Sequence, residues 1–389
     1  MSAESLHGLR VESVSSLRQI PAVAWDALER RGNPFLSHDF LSGLETCHCL
    51  DGHGWTPAHL VVMQGSSLLA ALPLYLHDNS FGEFVFDWNW ADAHEQHIGP
   101  YYPKLVNAIP FTPVAGPRLL IHPRADDPEQ LRRLLIDTAI AFAEREGLSS
   151  LHSLFPDADD KEQFAAAGLL VRGGCQYQWF NNDYGCFDDF LAALTSKRRK
   201  EIRRERRSVR DSGLDIEILQ GADIRDSDWT VFYDFYCSTF ERKWGQPRLT
   251  LEFFQHLSAS VTAPPLLILA RAGGQYVAGA FAVIGRDTLY GRHWGCNSGY
   301  RNLHFELCYY QTLEFCIQNR LQCLDAGAQG EHKLSRGFIP IPTWSCHWLR
   351  HPGFRSAVAD FVEREQALIN AAIDHFAENT AYKHEIGAS

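Results

Sequence analysis

The sequence predicts an α/β protein made of two similar domains, and a repeated strand–turn–strand pattern is the first observation behind this prediction. Residues 60–76 and residues 268–284 each contain an apolar strand, a tight turn of Gly or Ser, and a second apolar strand with an Ala-rich bend. A short Gly-containing turn between two apolar runs is typical of a β-hairpin. Ala70 and Ala278 occupy equivalent positions in the two hairpins. A length of 389 residues also suits two domains.

The segments around the two hairpins follow the same order, which is the second observation. Each hairpin is preceded by an aromatic, helix-like segment and followed by an aromatic strand, an amphipathic helix and a short strand. These segments are residues 33–47, 81–90, 131–146 and 149–155 in the first half, and 229–257, 288–296, 306–319 and 322–326 in the second. We therefore predict an internal duplication, with one domain at residues 1–175 and the other at residues 176–389.

Two further segments have no counterpart in the other half. Residues 91–122 are rich in His, Pro, Tyr and Gly, which predicts a long inserted loop of the kind that often carries function. At the C-terminus, residues 354–379 predict a helix with one packed stripe, formed by Phe354, Val358, Phe361, Leu368, Ala372 and Phe376.

The insertion offers polar side chains to a substrate. We expect Asp92, His97 and Tyr101 to line a substrate-binding loop. The string His-Glu-Gln-His at 94–97 is one residue shorter than the zinc-protease motif, and the Gly-Pro pair at 99–100 argues against a helix. We therefore predict no metal site in this segment.

The composition and charge exclude several classes of protein. Hydrophobic residues make up 45% of the chain and charged residues 21%, as in folded globular domains. The net charge of −11 argues against duplex DNA as a partner, because an acidic surface repels phosphate. We find no leader-like start and no apolar run long enough to span a membrane, so we expect a cytoplasmic protein. The ten cysteines contain no Cys-x-x-Cys pair and are expected to be reduced and structural.

A concentrated positive charge contrasts with this acidic background. Residues 197–207 contain two Lys, six Arg and two Glu, a net charge of +6 over three helical turns. Thr195 or Ser196 is placed to cap this helix. Because clustered Arg and Lys side chains bind anions such as phosphate, we predict a contact with a polyphosphate or RNA at this helix. A solvated surface helix is the alternative interpretation.

A second cluster of ionisable residues follows the short strand at residues 322–326. Within six residues the chain places Glu331, His332, Lys333 and Arg336, flanked by glycines that permit tight turns. His332 is suited to exchange a proton near neutral pH, and Lys333 or Arg336 to stabilise negative charge. We predict acid–base or anion chemistry here, with a polar surface turn as the alternative.

Several common catalytic motifs are missing from the sequence. It contains no G-x-S-x-G nucleophile elbow, no phosphate-binding P-loop and no strand–GxGxxG–helix fingerprint. Neither a serine-hydrolase triad nor a nicotinamide cofactor is therefore indicated, and we expect no tightly bound cofactor.

Four segments carry a family resemblance: NPFLSHDFLSGLE at 33–45, PFTPVAGPRLL at 110–120, the basic helix from Lys197, and GAQGEHKLSRGF at 327–338. With the tandem halves they resemble the FemAB-like group of N-acyltransferases, described as peptidoglycan biosynthesis or recognition proteins, and more broadly the Fem aminoacyl transferases. The resemblance extends from residue 33 to residue 379. It implies two tandem GNAT-like domains, each a mixed, mostly antiparallel sheet flanked by helices, in which the acyl donor enters between two diverging strands.

The resemblance also implies an activity and a set of substrate contacts. The expected reaction transfers an acyl or aminoacyl group onto an amine of a peptidoglycan-precursor-type or other small acceptor. Carried onto matching positions, the resemblance places the phosphates of an anionic small-molecule or tRNA-linked substrate at Lys197, Arg198, Lys200 and Arg203.

For the chemical step we expect proton transfer by Glu331 or His332 and charge stabilisation by Lys333 or Arg336. We also expect His293 and Trp294, on the aromatic strand of the second half, to line the acceptor side.

Aminoacyl-tRNA and acyl-CoA are both candidates for the acyl donor. GNAT enzymes that use acyl-CoA carry a [QR]-x-x-G-x-[GA] motif whose amides hold the pyrophosphate, and neither half of this chain fits that motif. Two alternative functions follow: an acyl-CoA- or acyl-carrier-dependent N-acetyltransferase acting on a small amine, and a non-catalytic module that recognises an anionic ligand.

Overall fold

The chain folds into two compact units. The structure is a computed structural model that describes residues 8–242, 245–297, 299–327, 330–378 and 380–383. Unit 1 comprises Met1–Gly174 and Pro342–Asn370, and unit 2 comprises Cys175–Ile341 and Ala371–Ser389. The predicted second domain, 176–389, thus contains a segment that clusters with unit 1.

Unit 1 contains an antiparallel sheet of four strands in the order β1-β3-β4-β7, and a second group in which β8, β6, β5 and β2 are neighbours. Its first eight strands are β1 (Leu9–Val14), β2 (Trp55–Pro57), β3 (His59–Gln64), β4 (Ser67–Leu72), β5 (Tyr75–His77), β6 (Lys104–Asn107), β7 (Leu120–Ile121) and β8 (Ser150–Leu154). The first predicted hairpin is confirmed as β3–β4, with Val62 opposite Ala70.

The helices of unit 1 are α1 (Ala22–Asp26), α2 (His38–Thr46), α3 (Trp88–His97), α4 (Pro128–Arg145) and α5 (Ala158–Ala166). Helix α4 confirms the predicted amphipathic helix. Its side chains Leu135 and Ala139 are buried in one apolar cluster with Leu60 and Leu72 of the hairpin. This packing explains why the strand–helix–strand order was visible as apolar periodicity.

Two predictions for unit 1 are wrong. Residues 81–90 do not form a strand, and the insertion is not one long loop, because it contains most of α3 together with β6 and β7. The His-Glu-Gln-His string lies in α3, which forms because Trp90 and His94 are buried on one face. Gly99, with φ of 149°, ends the helix instead of preventing it, and the His94 ring nitrogen Nδ1 lies 2.8 Å from its carbonyl oxygen.

Unit 2 is built on one sheet in the order β10-β11-β12-β13-β14-β9. The strands are β9 (Leu170–Phe180), β10 (Asp215–Gln220), β11 (Pro265–Ala272), β12 (Gln275–Ile284), β13 (Thr288–Cys296) and β14 (Cys323–Asp325). The helices are α6 (Phe187–Ala193), α7 (Ser196–Arg210), α8 (Asp226–Glu241), α9 (Leu251–Ser258), α10 (Leu303–Phe305) and α11 (Gln311–Gln318). The second predicted hairpin is confirmed as β11–β12, with Ala270 opposite Ala278.

The last two elements are β15 (Ile339–Leu349) and α12 (Pro352–Glu378). The chain passes between the units within β9, β15 and α12. Strand β15 pairs antiparallel with β8, from Ser345 opposite Leu154 to Leu349 opposite Ser150, and this pairing brings it into unit 1. Helix α12 has the predicted position, but Leu368 of the predicted stripe is 73% exposed.

The two units therefore consist of mixed, mostly antiparallel sheets flanked by helices, as predicted. No helix in the described part of the chain has the length and apolar character that crossing a membrane requires.

Candidate active site

A small cavity in unit 2 lies between β12, β13 and the helical segment after β13. Its volume is about 100 Å³. The lining includes the aromatic and imidazole side chains of Phe281, His293, Trp294, His304 and Tyr309, together with Thr312 and several small residues. The structure thus brings the two predicted acceptor-side residues, His293 and Trp294, to one cavity.

The backbone of β13 shapes this cavity. Strand β13 pairs with β14 in parallel only over Thr288–Tyr290 and then continues to Cys296. On its other side the register with β12 shifts, because Phe281 faces His293 while the next residue faces Gly291. Arg292 is therefore the extra residue of a β-bulge, a feature that bends a strand and re-aims its side chains.

The opposite wall begins with one turn of π-helix. This π-helical segment, Glu306–Tyr310, lies between α10 and α11 and was predicted as the start of an ordinary helix. A π turn inserts an extra residue into the helical ladder and is frequent at functional sites. Here it places Cys308 and Tyr309 on the cavity.

The predicted ionisable cluster forms a 3₁₀ helix, Glu331–Arg336, instead of an open loop. Gly330 precedes it with φ of 111° and Gly337 follows with φ of 85°, backbone values that favour glycine. The side chain of Glu331 lies outside the described part of the structure, as do residues 328 and 329.

Lys333 is buried beside the cavity. Its side chain points inward, only 1% of the residue is exposed, and its Nζ donates to the carbonyl oxygen of Gly327 at 2.6 Å. Burial lowers the pKa of Lys333 to about 8, and the nearby Asp325 carboxylate opposes that shift. Near neutral pH the ammonium is therefore the main form, poised close to its titration.

His332 lies on the exposed side of the same 3₁₀ helix. Its Nε2 is 2.8 Å from the phenol oxygen of Tyr309. Partial burial and the charges of Arg336 and Lys333 lower the pKa of His332 below the ordinary imidazole value. His304, whose ring centroid is 6.2 Å away, has its pKa lowered by burial to about 4. Both rings are thus mainly neutral near pH 7.

Arg336 is buried and paired. Its Nη2 lies 2.8 and 3.0 Å from the two carboxylate oxygens of Glu205, and its Nε donates to the phenol oxygen of Tyr310 at 3.0 Å. The prediction did not include Glu205. The sequence does mark Glu205 as unusual, because this carboxylate lies between Ile202 and Val209 on the apolar stripe of a basic helix.

Helix α7 confirms the predicted basic helix. Of the four predicted phosphate contacts on it, two are exposed and two form ion pairs within the chain. Lys197 and Lys200 are exposed, and within the described residues no carboxylate lies within 4 Å of either ammonium. Arg198 instead pairs with Glu201 at 2.9 Å, and Arg203 with Asp188 at 3.0 Å. Thr195 occupies the N-cap position without a side-chain hydrogen bond to the helix.

The three residues expected to line the insertion do not share one surface. Asp92 and His97 are exposed on α3, whereas Tyr101 is fully buried. The Tyr101 hydroxyl donates to Asp87 at 2.8 Å, within a buried network that also neutralises Lys104. Tyr101 is buried because its hydroxyl supplies one of the hydrogen bonds that the buried ammonium and its carboxylates need.

The described residues contain no group of three or more His, Cys, Asp or Glu side chains arranged to hold a metal ion.

Three solved structures align with most of the chain. The crystal structure of FemX aligns with a TM-score of 0.54 at 10% identity, covering 90% of this chain and 100% of FemX. L-PGS from Bacillus licheniformis aligns with a TM-score of 0.49 at 11% identity, covering 86% and 93% of the two chains. A tandem GNAT protein from the clavulanic acid biosynthesis pathway gives 0.45 at 12% identity, covering 88% and 99%.

The likeness to FemX supports the same fold. No curated protein shows significant sequence similarity to the chain. The sequence profile of one family, FemAB-like, described as peptidoglycan biosynthesis/recognition, matches residues 16–384. Because this match extends over nearly the whole chain and agrees with the fold, the protein belongs to the FemAB-like family.

Proposed function

We propose that the protein is an N-acyltransferase that moves an acyl or aminoacyl group from an activated donor onto an amine, with the reaction centre in unit 2. The observation that carries this proposal is the position of His332 and Lys333 beside the cavity near the end of β14. His332 contacts the cavity-lining Tyr309, and Lys333 is bonded to Gly327, next to the cavity-lining Ala326. Membership of the FemAB-like family supports an acceptor of the peptidoglycan-precursor type.

The reaction requires little covalent chemistry from the protein, because the donor ester or thioester is already activated. The amine nitrogen attacks the carbonyl carbon of an ester or thioester, a C–N bond forms, and the C–O or C–S bond of the donor breaks. The attacking nitrogen loses one proton, and the leaving alcohol or thiol gains one. The enzyme must orient the amine, accept its proton and stabilise the oxyanion of the tetrahedral intermediate.

His332 is suited to accept the proton. Its lowered pKa keeps the imidazole neutral near pH 7, and the contact with Tyr309 fixes the ring. The described structure offers His304, buried deeper in the cavity, as a second neutral imidazole that can orient the amine through a hydrogen bond.

Lys333 is suited to stabilise the oxyanion. Its ammonium is buried, where a charge acts more strongly than in water, and it is already held by the Gly327 carbonyl. Arg336 is engaged by Glu205 and Tyr310, so we assign it to holding the 3₁₀ helix instead of touching the substrate.

The exposed ammonium groups of Lys197 and Lys200 are suited to hold the phosphates of the donor or acceptor. Arg203 can join them, because its pair with Asp188 is exposed and such surface pairs contribute only about 0–1 kcal/mol. Aminoacyl-tRNA and acyl-CoA both carry phosphates, so this contact suits either donor.

The test is ligand-dependent thermal stabilisation followed by product analysis, with acetyl-CoA, charged tRNA and a nucleotide-linked muropeptide. A ligand at ~100 times its Kd should add about 2.7 kcal/mol of stability. Stabilisation by charged tRNA together with a new amide on the muropeptide is the expected result. Stabilisation by acetyl-CoA alone favours the small-amine acetyltransferase, and binding without turnover of any donor favours a recognition module.

A further inference from the structure

Helix α7 contacts the reaction centre through Glu205. This carboxylate is 7% exposed, receives both hydrogen bonds of the Arg336 Nη2 group, and accepts a hydrogen bond from the Tyr310 hydroxyl. Arg336 ends the 3₁₀ helix that carries His332 and Lys333, and Tyr310 ends the π-helical segment that carries Tyr309. One side chain therefore joins both elements that supply the reacting groups.

The neighbouring residue strengthens the same connection. Arg206 lies 3.1 Å from Glu306, the first residue of the π-helical segment, and 2.8 Å from Glu314 of α11. The Arg206 guanidinium also stacks on the Phe187 ring at 4.4 Å. Two consecutive residues of α7 thus hold the π-helical segment at its first and last positions.

Arg336 turns back onto the 3₁₀ helix that it ends. Its Nη1 donates to the main-chain oxygen of His332 at 2.8 Å, and its guanidinium stacks 3.5 Å from the centroid of the Phe305 ring. The position of the His332 backbone is therefore set by a guanidinium whose own position is set by Glu205.

We infer that Glu205 is a positioning residue of the reaction centre, which holds the 3₁₀ helix and the π-helical segment in register so that His332 and Lys333 stay beside the cavity. This inference rests on the proposed function for its kinetic consequence. It does not require Glu205 to touch either substrate.

Glu205 also balances the charge that acts on the imidazoles. Arg336 lowers the pKa of both His332 and His304, and Lys333 acts in the same direction. The Glu205 carboxylate opposes the Arg336 charge at close range. If Glu205 loses its charge, the protonated form of His332 becomes less favourable and its titration midpoint falls.

The first test is Glu205→Gln, which keeps the shape of the side chain and removes its charge. We expect kcat to fall ~100-fold with little change in KM, because a displacement of about 1 Å at reacting groups costs that much. Two-dimensional NMR of the full-length protein should show a lower titration midpoint for His332.

Glu205→Asp is the second variant, because Glu205→Gln leaves Arg336 buried without its counter-charge and is expected to be less stable. The shorter carboxylate keeps the charge and moves its position. We expect a ~10-fold loss of kcat with the wild-type His332 midpoint.

Asp228→Asn is the matched control. Asp228 is 1% exposed and pairs with Arg225 through both oxygens, at 2.9 and 3.0 Å, in the same unit. It should lower the melting temperature while leaving kcat and the His332 midpoint unchanged.

Wild-type kcat and midpoint in both Glu205 variants, with only the melting temperature lowered, would overturn the inference and make Glu205 structural. The NMR readout needs no substrate. A shifted midpoint in a protein that turns over no acyl donor would therefore support the positioning role and contradict the proposed function.

Discussion

The Nε2 atom of His332 and the phenol oxygen of Tyr309 lie 2.8 Å apart, which joins the 3₁₀ helix to the π-helical segment across the cavity edge. A hydroxyl that donates to Nε2 favours the neutral imidazole. We expect Tyr309→Phe to lower kcat ~10-fold and to move the acid limb of the pH–rate profile to higher pH. His332→Ala should remove that limb and most of the turnover, and full activity of His332→Ala would contradict the proton-transfer role.

Lys333→Met should lower kcat by ~100- to 1,000-fold, the effect of deleting one group that stabilises an oxyanion. The wild-type rate should also fall as pH rises through about 8, because the pKa of Lys333 is lowered to about 8 and only the protonated form carries charge. A pH–rate profile measures both effects. Lys333→Arg keeps the charge and should lose the alkaline limb, and a wild-type rate that stays constant well above pH 8 would argue against the assignment.

Replacing both Lys197 and Lys200 with Gln should weaken binding of a phosphate-bearing substrate. The slope of log affinity against log salt should become less steep by roughly 1.4–1.8 units for tRNA, because two exposed phosphate contacts are removed and each contributes about 0.7–0.9. Filter binding over a range of salt concentrations measures this. Arg198→Gln is the matched control with a smaller expected loss, since Glu201 already occupies Arg198. Equal losses in the two variants would contradict the assignment of phosphate binding to the exposed Lys197 and Lys200 in preference to the paired Arg198.

Gly295→Ala should destabilise unit 2 by about 2–3 kcal/mol. A Cβ at Gly295 would overlap the main-chain carbonyl of Phe235, because α8 lies directly against β13 at this point. Urea denaturation followed by circular dichroism measures the change. Gly299→Ala is the control, because its added Cβ meets no atom within 4 Å. Equal stability of the two variants would show that the close approach of α8 is not maintained in solution.

Lys104→Met should destabilise unit 1 by about 3–5 kcal/mol. The ammonium is fully buried and lies 2.9 Å from Glu83 and 2.6 Å from Asp87, so its removal leaves two buried carboxylates without their cation. Differential scanning calorimetry should show a lower melting temperature for this variant. Arg133→Met removes a cation from an exposed pair with Asp137 in the same unit and should cost under about 1 kcal/mol. Comparable losses from both substitutions would contradict the buried network.

Elements with a repeated apolar pattern were predictable from the sequence. The β3–β4 and β11–β12 hairpins, α4 and α7 each show the periodicity of their own secondary structure, because each packs one face on a core. The 3₁₀ helix and the π turn have no such periodicity. Their positions depend on partners distant in the chain, such as the pairing of Arg336 with Glu205, which lies 131 residues away.

The differences from prediction have two physical origins. Helix α3 was missed because Gly99 and Pro100 were taken to exclude a helix, whereas they only end one. Tyr101, which we expected to line a substrate-binding loop, is buried, because its hydroxyl belongs to the hydrogen-bond network around the Lys104 ammonium. Residue types identified the candidate chemistry at His332 and Lys333, and tertiary contacts decided which of the other polar residues join it.

The pairing of β15 with β8 has a consequence for biosynthesis. Ribosomes release the chain from its N-terminus, yet β8 acquires this antiparallel partner only when Leu349 has been made. By then the segment Cys175–Ile341 of unit 2 has already been synthesised. A nascent fragment ending near residue 175 would carry an open strand edge along β8, and such edges promote aggregation. The N-terminal unit therefore covers this strand edge only late in translation, after most of the second unit has been made.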